Sequence, residues 1–178
     1  MTAAFDLTAL VRRLRREACC EGPLLAKPVA GAALHGLLPH RPPFLFLDSL
    51  IRFNRGRRSV TALRRIAEDD PVFAGHFPAN PIYPGALQLE IMAQAGTCLL
   101  SQRGLTGNSI AAPAAPPNVV GTRVHHALFL SGVRPGETIC TMVGLVEDDG
   151  LLTTIAGQIW VGERLCAIGV LEAHVYAS

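Results

Sequence analysis

The chain has 178 residues, a length that favours one domain with a full apolar core over two. Hydrophobic side chains make up 49% and charged ones 17%, which excludes disorder over most of the chain and suits a surface partly covered by another subunit. The net charge of +2, from 16 basic and 14 acidic side chains, lacks the basic excess of a general nucleic-acid binder.

In chain order, residues 5–18 place Phe5, Leu7, Leu10, Val11, Leu14 and Ala18 on one side of a helix, with four arginines on the other. Gly22–Pro23 ends it. Such a helix reads as an appendage packed onto the main domain, with docking on a partner or a membrane surface as the alternative. Its arginines break up the opening segment, so it is no signal peptide. The longest charge-free stretch, Gly104–Thr122, carries three prolines and cannot be a membrane helix. A soluble, cytoplasmic protein is expected. Cys19, Cys20, Cys98, Cys140 and Cys166 show no C-x-x-C spacing and lie mostly among apolar residues, as reduced buried thiols do. No metal-ligand spacing is visible.

The apolar, aromatic run Phe44–Phe53 reads as a strand, 54–57 as a turn and Ser59–Ile66 as the returning strand. Pro84–Gln102 opens on proline and is apolar nearly all round, which predicts a buried central helix. Residues 104–118, rich in Gly, Ala, Pro and Asn, form a loop. Val119–Leu130, Glu137–Glu147, Leu151–Val161 and Arg164–Val175 then read as four strands of an antiparallel meander. Strands, one long buried helix and more strands make an α+β fold with the helix against the sheet. Residues 1–36 form an N-terminal helical extension and 37–178 the main domain.

The chemistry concentrates in Gly75–Gly85. Three prolines in seven residues stiffen this loop, which holds His76 just before the central helix. Gly85 allows close approach to the backbone, and the unbonded N–H groups at the helix start form an oxyanion hole for a carbonyl. Glu90 is the one charged residue on that helix, where burial is costly unless the group is paired or neutral. Gln94, one turn later on the same face, is placed to orient it. A surface-loop histidine and a salt-bridged glutamate are the bland alternatives for each alone; the two together, joined by a stiff loop and a glycine, point to a site.

The runs LPHRPPFLFLD (Leu38–Asp48), GHFPANPIYPGALQLEIMAQAG (Gly75–Gly96) and FLSGVRPGE (Phe129–Glu137) resemble the FabZ family, the 3-hydroxyacyl-acyl-carrier-protein dehydratases of the hot-dog fold. The similarity runs from Leu37 to Val175. It implies a long helix wrapped by an antiparallel sheet, a hydro-lyase that forms trans-2-enoyl thioesters in fatty-acid or polyketide synthesis, and no cofactor. It also implies a dimer, or an assembly of dimers, in which the histidine and glutamate of one site come from different subunits. His76 matches the catalytic histidine, Glu90 the catalytic glutamate, and Gly85 the glycine whose N–H holds the thioester carbonyl. Phe44, Phe77, Tyr83 and Leu87 are candidates to line the acyl tunnel, with Gln94 beside them. The partner would be an acidic acyl carrier protein bearing a phosphopantetheine-linked chain. Arg55, Arg57 and Arg58, in a stretch from Arg52 to Arg65 that contains no acid, are candidates to dock it.

Some positions depart from the family pattern. Ala79 stands where the family has Gly, Ala86 where it has a larger aliphatic residue, and His125-His126-Ala127-Leu128 where it has a basic run. With the N-terminal helix, these favour a specialised pathway such as polyketide or polyene assembly. Two alternatives stay open: a non-catalytic or half-catalytic subunit of a heterodimeric dehydratase, and a hot-dog acyl thioesterase.

Overall fold

A computed structural model of the chain describes residues 5–19, 22–105 and 109–176. Seven strands form one antiparallel sheet: β1 (Leu24–Ala30), β2 (Ser49–Asn54), β3 (Ser59–Arg65), β4 (Asn118–Phe129), β5 (Thr138–Asp148), β6 (Leu152–Val161) and β7 (Arg164–Tyr176). Three helices accompany them: α1 (Leu7–Leu14), the short α2 (Ala32–His35) and α3 (Gly85–Leu100).

The strand order is β1-β2-β3-β5-β6-β7-β4. Only β5, β6 and β7 therefore form the expected meander. β4 lies at the far edge beside β7, and β3 pairs with β5 in its place. Strand patterning marks which residues are extended, but nothing local distinguishes a neighbour two strands away from one next door.

Two further expectations are revised. Phe44–Leu47 is not strand: the backbone of Phe46 and Phe44 bonds to the Gln94 side chain instead of to a neighbouring strand. Its apolar character reflects burial, since Phe46 and Leu47 belong to the core. Conversely, Leu24–Ala30 is a strand, paired with β2 within the stretch read as helical extension. Lys27 and Pro28 hid it, and both suit an edge strand, where a missing N–H costs no ladder bond.

α3 crosses the sheet with its long axis buried; from Ile91 to Leu100 every residue except Ala93 is buried. It sits close because two strand glycines face it. A Cβ on Gly157 or Gly169 would come within 3.0 Å of the Met92 side chain. Its contacts, with Leu50, Phe53, Val60, Ile139 and Val143, form the main core. Of the thiols expected to be buried, Cys98 and Cys166 are, and burial pushes both up from their ordinary range, while Cys19 and Cys140 are only partly buried. Cys20 lies outside the described residues.

The opposite sheet face carries α1. Along β6, Ile155 and Gly157 face α3, so Ala156 and Gln158 face the other way. Leu10 and Leu14 pack there on Ala156, Ile168 and Val170. The buried Gln158 side chain then fastens the helix end: its Oε1 accepts from Cys19 N at 2.7 Å, and its Nε2 donates to Leu14 O and Glu17 O. Asp6 caps the start, accepting from Ala9 N at 2.9 Å. Among the described residues, no helix is long and apolar enough to cross a membrane.

Candidate active site

The loop before α3 is held shut by its own backbone. Ile82 N donates to His76 O at 3.1 Å, and His76 Nδ1 lies 2.8 Å from Ile82 O. A carbonyl only accepts, so Nδ1 carries the hydrogen and Nε2 is left with a bare lone pair. Arg134 braces the loop from outside through Asn80 and Pro81. The His76 ring is half-buried and stacks on Phe77, with centroids 4.1 Å apart.

Gly85 opens α3 directly behind Pro84, and no side chain caps this end. The first N–H groups of the helix therefore lack intrahelical partners. Glycine is needed here for a second reason: a Cβ would lie 2.7 Å from the Phe129 ring.

Five residues on, Glu90 is half-buried and its Oε1 accepts from Gln94 Nε2 at 2.9 Å, the i,i+4 contact expected from the sequence. Gln94 is itself fully buried. Its other bonds, from Nε2 to Phe44 O at 3.0 Å and from Phe46 N to Oε1 at 2.9 Å, tie α3 to the segment before β2. Its polar atoms are thus hydrogen-bonded within the chain, one of them to Glu90. His40, from the LPHR run, also faces Glu90, with Nε2 3.6 Å from Oε1. Nothing in the LPHR run assigns His40 a role; it lies in the segment that Gln94 holds against α3.

Glu90 and His40 open into a cavity of about 510 Å³ between α3 and strands β4, β6 and β7. Its α3 wall is Ala86, Leu89, Glu90, Ala93, Gly96, Thr97 and Leu100. This i, i+3, i+4 stripe extends over roughly 21 Å of helix at 1.5 Å per residue. Ala86, one of the departures from the family pattern, lies in this wall. The opposite side holds Thr122, Arg123 and Glu172. Hydrogen bonds from Thr122 and His125 hold the Glu172 carboxyl below the usual carboxylate range.

The residues proposed to line the tunnel fall elsewhere. Phe44 and Phe77 are each 51% exposed, Leu87 packs against the main core, and none of the three borders the cavity. Tyr83 is 1% exposed and part of the core, where burial pushes its phenol up to about 12. An apolar residue near the motif has several faces to bury against, and only the packed structure chooses. His76 does not border the cavity that Glu90 enters, and no described hydrogen bond joins the two within one chain.

The arginine set also needs correction. Arg55 turns inward, donating to Gln102 O and Leu105 O beyond the end of α3 and lying over the Phe53 ring. Arg58 pairs with Asp148 at 2.7 Å. Arg57 is exposed. The turn that carries them thus sits by the C-terminal end of α3, while Gly85 and the His76 loop lie at its N-terminal end, roughly 24 Å away along the helix.

Known structures share this architecture. The dehydratase heterocomplex ApeI:P of Xenorhabdus doucetiae superposes with a TM-score of 0.61 at 16% identity, covering 82% of this chain and 91% of that one. A hot-dog-like protein of Thermanaerovibrio acidaminovorans gives 0.53 at 17% identity, covering 67% and 82%. A central helix against a curved antiparallel sheet, with a stiff loop feeding the helix start, is thus the hot-dog fold. The FabA-like domain model matches residues 38–168. The 3-hydroxyacyl-acyl-carrier-protein dehydratase FabZ of Nitratiruptor sp. is 35% identical over 140 residues, covering 78% of this chain and 92% of the relative. That of Symbiobacterium thermophilum is 37% identical over 137 residues, covering 76% and 89%. This chain belongs to the FabZ family, within the FabA-like domain group.

Proposed function

We propose that this protein is a cytoplasmic hydro-lyase that removes water from 3-hydroxyacyl thioesters delivered by an acyl carrier protein, in fatty-acid synthesis. The observation that carries this reading is the 2.8 Å contact between His76 Nδ1 and Ile82 O, which in the neutral ring makes Nε2 the basic atom. His76 Nε2 takes the C2 proton, and the C–H electron pair becomes the C2=C3 double bond as the C3–O bond breaks. Glu90 gives its proton to the departing hydroxyl, which leaves as water. The N–H groups at Gly85 hold the thioester oxygen as negative charge builds on it. His76 then ends protonated and Glu90 ionised, and solvent returns both to their starting forms. No cofactor enters these steps.

The apolar cavity beside Glu90 suits the acyl chain. A second copy completes the site, so that His76 of one protomer meets Glu90 of the other. The outer edge of β4 supports this: among the described residues β7 is its one strand partner, and Val120, Val124 and Phe129 on it are each about half exposed.

Mixing two inactive variants tests both the chemistry and the sharing. His76→Ala and Glu90→Gln should each lose about 100-fold or more of the dehydration of a 3-hydroxyacyl-carrier-protein panel followed by mass spectrometry. Subunit exchange between them should restore about a quarter of wild-type turnover, because half the dimers then contain one intact site of two. No recovery would place both groups in one chain. Activity that appears only on adding a different hot-dog chain would make this protein half of a heterodimer.

A further inference from the structure

A second imidazole shares the cavity with Glu90, and the proposed chemistry makes no use of it. His40 Nε2 is 3.6 Å from Glu90 Oε1, the same oxygen that accepts from Gln94 Nε2. The ring is not loosely placed. It stacks near-parallel with Phe44, at a centroid separation of 6.3 Å and 27° between planes. Arg41 clamps its backbone, donating to His40 O, Leu38 O and His35 O. Gln94, in turn, anchors the Phe44 carbonyl.

We propose that His40 is a positioning residue for Glu90, directing the acid proton onto the one carboxyl oxygen that reaches substrate. This rests on Glu90 being the acid of the dehydration. The argument begins at the other ring nitrogen. His40 Nδ1 is buried and has no hydrogen-bond partner among the described residues. A neutral imidazole carries one hydrogen. At Nδ1 it would meet no acceptor; at Nε2 it points to Glu90 Oε1. His40 is therefore an Nε2–H donor, the opposite tautomer to His76, whose Nε2 is bare.

Two N–H groups thus point at Glu90 Oε1, one hydrogen-bonded at 2.9 Å from Gln94 and one 3.6 Å away on His40. An oxygen that accepts from both has no room for a proton of its own. The acid hydrogen is held on Oε2, free to pass to a leaving hydroxyl. With one donor removed, the proton is shared between both oxygens and the carboxyl swings about its axis. At 3.6 Å the His40 contact is longer than a hydrogen bond, and this positioning role requires it to shorten when substrate is bound.

Turnover of a 3-hydroxybutyryl thioester on an acyl carrier protein tests this. His40→Phe keeps the stacked ring and removes the donor. It should lower kcat about 10- to 100-fold with KM unchanged, the scale expected for a misplaced acid. His40→Gln supplies an amide N–H and should keep kcat within a few-fold of wild type. In a Glu90→Gln background, His40→Phe should add no further loss, because there is no acid proton to place. If His40→Phe does not fold, His40→Asn, whose shorter amide cannot reach Oε1, takes its place with the same expected loss. Unchanged kcat in the donor-less variant overturns the proposal, as does an equal loss with and without Glu90. A wild-type chain that performs no dehydration would overturn the acid role of Glu90 and this inference with it, a result distinct from failure of His40 alone.

Discussion

The two longer helices lie on opposite faces of one sheet and are held there by different means. α3 is buried along most of its length, and small residues on both sides bring it into close contact: Gly96 against Ile155, and Met92 against Gly157 and Gly169. α1 buries one stripe, leaves Arg12 and Arg13 exposed, and is pinned at its end by a single buried glutamine. The face of α3 carries the one acidic side chain of that helix and borders the cavity, whereas α1 itself holds no acidic side chain. One sheet thus separates a face where polar side chains border a cavity from one where a buried polar side chain fastens a helix. The two should respond differently to mutation.

The largest effects belong to the α3 face. His76→Ala should cost roughly 10²–10⁴-fold in kcat, the usual contribution of a general base, while its thermal midpoint stays near wild type. Glu90→Gln should lose about 10²-fold or more with the fold intact, since the isosteric amide still accepts from Gln94 but has no proton to give. Near-normal turnover in either would remove the catalytic assignment.

On the α1 face the sign of the experiment reverses. Gln158→Leu removes four hydrogen bonds and strands the Leu14 and Glu17 carbonyls, for a loss of about 2 kcal/mol in denaturant unfolding. Turnover below the unfolding transition should be unaffected. A fall in kcat comparable to His76→Ala would show that the two faces are not independent.

The smallest effect concerns Tyr83, between the loop and the core. Its hydroxyl is buried with no partner among the described residues, and burial holds the phenol up to about 12 against an ordinary 10.0. The unfolded chain releases this proton first. Stability therefore falls as pH rises from 10 to about 12, and is unaffected by this group below 10. Tyr83→Phe should flatten that slope and leave stability at neutral pH unchanged or slightly higher, as urea titrations at pH 8 and 11 would show.

Much of the site was legible because its residues lie close in sequence. His76, Gly85, Glu90 and Gln94 occupy a stiff loop and the first turns of one helix, where spacing alone sets the relative direction of side chains. The Glu90–Gln94 bond follows directly. His40 was not legible in the same way: fifty residues separate it from Glu90, and only the Gln94 tether to Phe44 and Phe46 brings them together. The arginines of the β2–β3 turn misled for a related reason, since a charged residue in a turn gives no sign that carbonyls from the end of a distant helix await it.

From the amino acids alone came the α+β class, the extent of the buried helix, most strands, and the histidine, glycine and glutamate of the motif. Each of these depends on periodicity, on proline and glycine geometry, or on the rarity of charge in an apolar run, and all three act over a few residues. The tertiary structure alone decided that β4 lies beyond β7, that Leu24–Ala30 completes the other edge, and which apolar side chains border the cavity instead of filling the core. Burial and pairing are properties of neighbours in space, and an apolar side chain has the same affinity for any surface that excludes water.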